Sequence, residues 1–261
     1  MASTSSIFWM YAWSNSAMHH IFFPPRLQVV ALQQTPDCLS AYVGYQLALY
    51  FFEKGRHSLA IRIADAIYKA EPHNLQSLTN LASLYRQAGD SQHADRLFRD
   101  LSPHMTVDRG FYMEWGTSAG SCGYYADAAL LQAFSLADQG DYRPTDNEVA
   151  KRALAGLGVV FSNMLKGFND PAILAALAAL PVLEAQLHLD STTSNHFARH
   201  AEHAKELGCA TPSAGQAWEY FRDGVLASAH SGVSSEVLAR VGDPGRLTFS
   251  QLEGLTRVRR P

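Results

Sequence analysis

Small residues recur at a fixed interval along the first half of this sequence. Three sets of equivalent positions share a step of about 34 residues. They are Ala48, Ala82 and Gly116; Gly55, Gly89 and Gly123; and Ala60, Ala94 and Ala128. A repeat of this length is typical of a helix pair that cannot bury its apolar face alone and stacks on its neighbours. The interval therefore predicts stacked helix pairs.

Residues 75–108 show the pattern within one such pair most completely. Apolar residues at helical spacing mark the buried face of each helix. They are Leu78, Leu81, Ala82 and Tyr85 on the first helix, and Ala94, Leu97, Phe98 and Leu101 on the second. Gly89 and Asp90 break the first helix, and Pro103 follows the second. No stretch of the repeats reads convincingly as a strand, so the sequence predicts an all-α fold.

The same patterns divide the chain into four parts. We expect a loosely ordered N-terminal extension at 1–40, three repeats at 41–142, a divergent fourth helix pair at 143–190, and C-terminal helices with a basic tail at 191–261. The apolar helix Ala172–Leu189 of the fourth pair contains Pro181, which is a possible point of interruption. The extension is rich in aromatic residues. It is either a loose segment partly packed on the first helices or a docking segment for a partner or a membrane surface.

Composition excludes several classes of protein. Apolar residues make up 47% of the chain and charged residues 17%, which is a globular balance. The formal net charge of −3 and the lack of a basic run argue against nucleic-acid binding. Cys38, Cys122 and Cys209 are odd in number and widely spaced, so we expect no disulfide framework and a cytoplasmic location. Polar residues interrupt Ala172–Leu189, and no membrane span is expected.

The repeats resemble the tetratricopeptide repeat (TPR) family. The resemblance rests on a set of small and aromatic residues at its characteristic positions. They are Leu47, Ala48, Phe51, Gly55, Ala60 and Pro72; Leu81, Ala82, Tyr85, Gly89, Ala94 and Phe98; and Trp115, Gly116, Gly123 and Ala128. It implies a right-handed α-solenoid of TPR-type helix pairs with additional C-terminal helices. It also implies a concave face, lined by the first helix of each pair, that binds a peptide or protein segment.

Residues off the packing face of the first helices are the candidates for that groove. They are Tyr45, Leu49, Asn80, Ser83, Arg86, Glu114 and Thr117. Aromatic and apolar anchors beside one guanidinium suit an extended peptide. An alternative is that some of the aromatics pack against residues 1–40. Only Asn80 and Arg86 resemble the groups with which relatives of this family bind a C-terminal carboxylate, so that mode is not supported. The sequence suggests a non-enzymatic scaffold or sensor without a cofactor, and its oligomeric state is left open.

Two motifs favour an enzyme or a metal site instead. Residues Gly116–Gly120 match the G-x-S-x-G pattern of serine hydrolases, with Ser118 as the nucleophile. That motif needs a strand before the serine, whereas a helix is predicted here. His196, His200 and His203 have the spacing that places three imidazoles on one helical face, where they could bind Zn²⁺. No further ligand is identified, and an exposed polar face is the alternative.

Overall fold

The computed structural model describes residues 41–72, 74–104, 109–138, 146–167, 169–187 and 194–253. These residues form helices and turns and contain no strand, which confirms the predicted all-α class. The expectations for the extension at 1–40 and for the basic tail at 254–261 lie outside the described residues. The chain divides into two compact units, Met1–Glu71 and Pro72–Pro261.

The first unit contains a helix pair, α1 (Ala41–Glu53) and α2 (His57–Ala70). The two helices pack on each other. The residues predicted for their inner faces are buried, among them Ala48, Phe51 and Ala60. Gly55 in the turn between them has a φ of 73°, a left-handed conformation that side-chain-bearing residues rarely adopt. The predicted pair and its turn are therefore confirmed.

The second unit begins with two further pairs. They are α3 (Leu75–Gln87) with α4 (Ser91–Leu101), and α5 (Arg109–Ser121) with α6 (Tyr125–Leu136). The predicted inner residues Leu78, Leu81 and Ala82 are fully buried, as are Ala94 and Phe98. A short 3₁₀ helix, Ser102–His104, follows α4.

Glycine and side-chain caps define the ends of these helices. Gly89 and Gly123 have φ values of 85° and 83° in the two turns. Asn74 accepts hydrogen bonds from the N–H groups of Gln76 (2.9 Å) and Ser77 (3.2 Å) at the start of α3. Such caps satisfy backbone donors that have no partner inside the helix. The turns of the repeat are therefore fixed by the glycine conformation and by side-chain hydrogen bonds to the backbone.

The repeats are followed by α7 (Asp146–Gly167), α8 (Pro171–Leu187) and α9 (Ser194–Glu206), of which α7 and α8 are longer than the repeat helices. Asp170 caps α8, because its carboxylate accepts from the N–H groups of Ala172 (2.7 Å) and Ile173 (3.2 Å). The helix continues through Pro181 without the interruption that the sequence suggested. Proline removes one hydrogen bond from a helix, and the apolar packing of α8 against its neighbours compensates for that loss.

Two C-terminal helices complete the unit, α10 (Ala217–His230) and α11 (Ser235–Val241). A 3₁₀ turn, Pro244–Arg246, and a helical stretch at 250–253 follow them. Helix α10 lies very close to α8. A Cβ added at Gly224 would collide with the Ala176 side chain and lie 3.0 Å from the carbonyl oxygen of Ala172. The small residues at this contact thus allow the two helices to approach.

The C-terminal segment is joined to the repeat helices by polar contacts. The Asp138 carboxylate accepts from the N–H groups of Ser250 (2.8 Å) and Gln251 (3.0 Å). Arg240 Nε on α11 donates to the Tyr112 hydroxyl on α5 over 2.9 Å. Residues more than a hundred positions apart are thereby held together, and the C-terminal segment belongs to the same compact unit as the second and third pairs.

None of the helices that the structure describes is both long enough and apolar enough to cross a bilayer.

Candidate binding surface on the first helices

The candidate groove residues lie on the first helices of the pairs but belong to both compact units. Tyr45 and Leu49 are half-buried on α1 of the first unit. The other candidates lie on α3 and α5 of the second unit. They are Asn80, Ser83, Arg86, Glu114 and Thr117. The candidates of the second unit make hydrogen bonds and ion pairs that define a site.

Short polar side chains on α3 bond along their own helix. Asn80 is buried, and its Oδ1 accepts from Gln76 Nε2 over 2.8 Å. Ser83 is half-buried, and its hydroxyl accepts from Gln87 Nε2 over 3.1 Å. Each bond joins residues one helical turn apart. Asn80 therefore supports α3, whereas Ser83 remains partly open to solvent.

Arg86 joins α3 to α5. Its Nη1 donates to the Ser118 hydroxyl over 2.8 Å, and its Nη2 donates to Glu114 Oε2 over 3.4 Å. The Arg86 side chain is 15% exposed and that of Glu114 only 4%. A carboxylate this deeply buried needs a paired cation to offset its loss of hydration. Arg86 and Glu114, which were both groove candidates, are therefore direct partners.

A third helix contributes to the same cluster. Arg152 on α7 donates from Nη2 to Glu114 Oε1, so that one buried carboxylate holds two guanidinium groups. The Arg152 side chain is 53% exposed, in contrast to its partner. We call Arg86, Glu114, Ser118 and Arg152 the arginine–glutamate cluster. It connects the first helices of three successive pairs, α3, α5 and α7.

The residues around the cluster are small. Thr117 is half-buried, and its hydroxyl donates to the Met113 carbonyl oxygen over 2.9 Å within α5. Gly120, one turn along α5, and Gly156, one turn beyond Arg152 on α7, are also half-buried. Gly120 faces Ala128 and Val160, and the Gln132 side chain fills the space beside Gly156, so both glycines belong to contacts between helices. Among the charged members of the cluster, Arg152 is the most exposed.

Ser118 of the hydrolase-like motif lies within α5 and is fully buried. Its hydroxyl accepts the hydrogen bond from Arg86. No strand precedes it among the described residues, whereas the hydrolase motif places its serine on a strained turn after a strand. The contact found here gives Ser118 a role in holding Arg86.

The candidate metal-binding histidines have different surroundings. His200 is buried, with Nδ1 3.0 Å from the Ser162 hydroxyl, and its ring lies against Gly158 on α7. His203 is half-buried, with Nδ1 3.9 Å from Glu206 Oε2. The side chain of His196 lies outside the described residues. Within the described part of the chain, no three His, Cys, Asp or Glu side chains are grouped to hold a metal ion.

A second polar network surrounds Arg99 on α4. The guanidinium donates from Nε to Asp95 Oδ2 (2.6 Å) and from Nη2 to Asp127 Oδ2 (2.7 Å). Burial raises the pKa of Asp95, although its bonds with Arg99 act in the opposite direction. Burial also opposes the charge on Arg99, but hydrogen bonds with Asp127 and Asp95 outweigh it and raise its pKa. This network stabilises the contact between α4 and α6.

An open cleft of about 930 Å³ lies next to this network. The residues that line it include Tyr124, Tyr125, Asp127, Met164, His230 and Ser234. Asp127 is the acidic group among its described lining residues, and it is already bonded to Arg99 and Ser234. The cleft therefore offers no unpaired carboxylate, in contrast to the charged surface on the first helices.

Comparisons with protein-family models, with curated protein sequences and with solved structures find no match to this chain. The interpretation of the site therefore depends on its own geometry. Sequence reasoning identified Arg86 and Glu114 but did not identify Arg152, because α7 lies beyond the regular repeats. Arg152 lies 38 residues after Glu114, which departs from the repeat interval of about 34, so periodicity could not have indicated it.

Proposed function

We propose that this protein is a non-enzymatic scaffold of the tetratricopeptide type that binds a peptide segment of a partner protein. In this proposal the helix pairs form a right-handed solenoid, and the peptide lies on the first helices α3, α5 and α7. The observation that carries it is the arginine–glutamate cluster, which gathers one polar surface from these three helices.

The buried repeat positions support the proposed architecture. Ala48 and Ala82 are fully buried on first helices, as are Ala60, Ala94 and Ala128 on second helices. Small residues at these places allow the two helices of a pair to approach closely. Each first helix then has a second face, which does not pack against its partner helix. In the second unit, this face carries the arginine–glutamate cluster.

The chemistry of the surface supports a peptide as the ligand. Arg152 presents a half-exposed guanidinium, a group that is enriched among the residues that dominate binding energy at protein interfaces. Ser83 on α3 and Thr117 on α5 present short, half-buried side chains. An extended peptide can approach short polar side chains closely and form hydrogen bonds with them along its length.

We also propose that the scaffold acts in the cytoplasm. Cys122 and Cys209 are both free thiols in the structure. Thiols of this kind are compatible with a reducing compartment. Microscopy of a fluorescently tagged chain tests the location, and accumulation in an oxidising compartment contradicts it.

The proposal is tested by selection of short random peptides displayed on phage against the purified chain. We expect sequences to be enriched on the wild type and lost on Ser83→Trp, because a bulky indole would block the surface beside Arg86. Ser58→Trp is the matched control, since Ser58 is an exposed residue on the second helix α2. Equal enrichment on Ser83→Trp and wild type contradicts binding at this surface.

A further inference from the structure

Helix α11 is short and contributes little to the apolar core. It has seven residues, whereas an isolated helix shorter than about 12 residues is not stable in water. Within residues 231–246, all of which the structure describes, Val237 alone is buried, and Leu238 beside it is 39% exposed. A segment with so few buried apolar groups is expected to open at a low cost in free energy.

The chain on both sides of this stretch is firmly packed. Before it, α10 buries Phe221 and Val225. After it, Phe249 is 3% exposed, its ring lies 5.3 Å from the Phe221 ring, and Leu252 is fully buried. The apolar core therefore holds both ends of residues 231–246, so that an opening of this stretch is the movement of a strap that stays tethered at each end.

Glycines lie just before and just after α11. Gly232 has a φ of 120° and Gly242 a φ of 81°, both in the left-handed region that other residues rarely adopt. A Cβ at either position would meet no described atom within 4 Å, so neither glycine is required for close packing. Hinges are a few loop or helix-terminal residues that absorb a change of backbone angles, and these two glycines are placed to do so.

Polar contacts hold this stretch against the repeat helices. The Ser234 N–H donates to Asp127 Oδ1 (2.7 Å), and the Ser234 hydroxyl donates to Asp127 Oδ2 (2.8 Å) and accepts from Arg99 Nη1 (3.0 Å). At the other end of α11, Arg240 Nε donates to the Tyr112 hydroxyl. When Ser234 moves away, Asp127 and Arg99 still pair with each other. Opening therefore leaves neither of these two charges without a partner.

We propose that residues 231–246 form a strap that opens and closes on α6 while the rest of the second unit stays folded. Residues 231–234 line the cleft beside the network around Arg99, so movement of the strap changes the width of that cleft. The strap is a conformational device that regulates access to the cleft. It goes beyond the proposed peptide binding, which involves the first helices.

Native-state hydrogen exchange of the wild type, followed by mass spectrometry at low urea concentrations, tests the local opening. We expect the amides of α11 to exchange at least about 100-fold faster than those of α10. We also expect urea to change the α11 rate little, because a local opening exposes little surface. Exchange of α10 and α11 at the same rate and with the same urea dependence would overturn the proposal.

Two matched variants separate the opening of the strap from global unfolding. Val237→Ala and Val225→Ala each shorten a buried valine, the first in α11 and the second in α10. We expect Val237→Ala to speed the exchange of α11 about tenfold. We expect Val225→Ala to leave the α11 rate unchanged, because α10 stays folded when the strap opens. If Val225→Ala speeds the exchange of α10 and α11 by the same factor, the two helices unfold together and the proposal fails.

Limited proteolysis with trypsin gives an independent measurement on the wild type. Arg240 lies in α11, and Arg222 lies in α10 with a side chain that is 51% exposed. Cleavage of a folded protein requires that the chain around the bond opens first. We expect cleavage after Arg240 under native conditions while the bond after Arg222 stays intact. Equal rates of cleavage after Arg222 and Arg240 would contradict an independent strap.

Discussion

Asp127 on α6 caps helix α11, although it lies 107 residues before the Ser234 N-cap position. One carboxylate oxygen accepts the Ser234 N–H over 2.7 Å, and the other accepts the Ser234 hydroxyl over 2.8 Å. Ser234 makes no side-chain cap of its own helix. The start of α11 is therefore stabilised by a residue of the third helix pair.

Asp127→Ala should destabilise helix α11 and its attachment to α6. The change leaves the half-buried Arg99 with one partner fewer and α11 without its cap, and breaking a buried ion pair costs about 3 kcal/mol. Urea denaturation measures the loss, and hydrogen exchange at residues 234–241 should become faster. Ser235→Ala is the control, because Ser235 is exposed and next to the cap. Unchanged exchange in Asp127→Ala would show that α11 does not depend on this contact.

Gly116→Ala and Gly120→Ala should have opposite effects, although both lie on α5. A Cβ at Gly116 would lie 2.6 Å from Gln132 Cγ and 3.2 Å from the Ala128 carbonyl oxygen, so overpacking should cost about 1–3 kcal/mol. A Cβ at Gly120 would find ordinary contacts at 3.5 and 3.6 Å, and the better helix former should add about 0.5–1 kcal/mol. Thermal denaturation compares the two. Equal melting temperatures would contradict the observed contact between α5 and α6.

These glycines show what the sequence could predict about the fold. The interval of about 34 residues identified Gly89, Gly116 and Gly123 because each has a local reason, either a turn or a close helix contact. The contact of Gly224 with Ala176 follows no such interval, since α8 and α10 meet only in three dimensions. The attachment of Ser234 to Asp127 was missed for the same reason.

The thiol of Cys122 should resist alkylation at neutral pH. Burial, followed by the charge of Asp95, raises the pKa of this thiol from 9.0 to about 11. The thiolate is the reactive form, so the rate of reaction with iodoacetamide should rise with a midpoint near pH 11. Mass spectrometry of the Cys122 peptide measures that rate, and the urea-unfolded chain serves as the control.

The same shift predicts a change in stability at alkaline pH. The folded state holds the Cys122 proton more tightly than the unfolded state, whose pKa is close to 9.0. The contribution to the free energy of unfolding is therefore full below pH 9 and is lost as the pH rises towards 11. Cys122→Ala should remove this part of the pH dependence. A folded-state alkylation midpoint near pH 9 would contradict both expectations.

His200→Ala should lower stability without affecting metal content. The change removes the contact with Ser162 and leaves a gap beside Gly158, at a cost of about 1–3 kcal/mol. His203→Ala is the control, and a surface change of this kind should stay within about 0.5 kcal/mol. Metal analysis of the purified proteins accompanies the denaturation curves. Stoichiometric zinc that is lost in His200→Ala would contradict the scaffold proposal.

The candidate site was only partly predictable from the sequence. Helical spacing placed Arg86 and Glu114 off the packing faces, but it could not show that the two groups bond to each other. It also could not show that Glu114 is buried, or that a second cation, Arg152, pairs with it from α7, 38 residues away. Pairing across helices requires the three-dimensional arrangement, whereas periodicity reports only the face of one helix.

Hydrogen–deuterium exchange with and without a selected peptide tests the proposed binding surface most directly. The purified wild type is compared at saturating peptide, and Ser83→Trp provides the unbound reference. We expect slower exchange in α3, α5 and α7, around Ser83, Thr117 and Arg152, with α4 and α6 unchanged. Slower exchange confined to the second helices, or to the cleft around Tyr124, would show that the peptide binds a different surface of the protein.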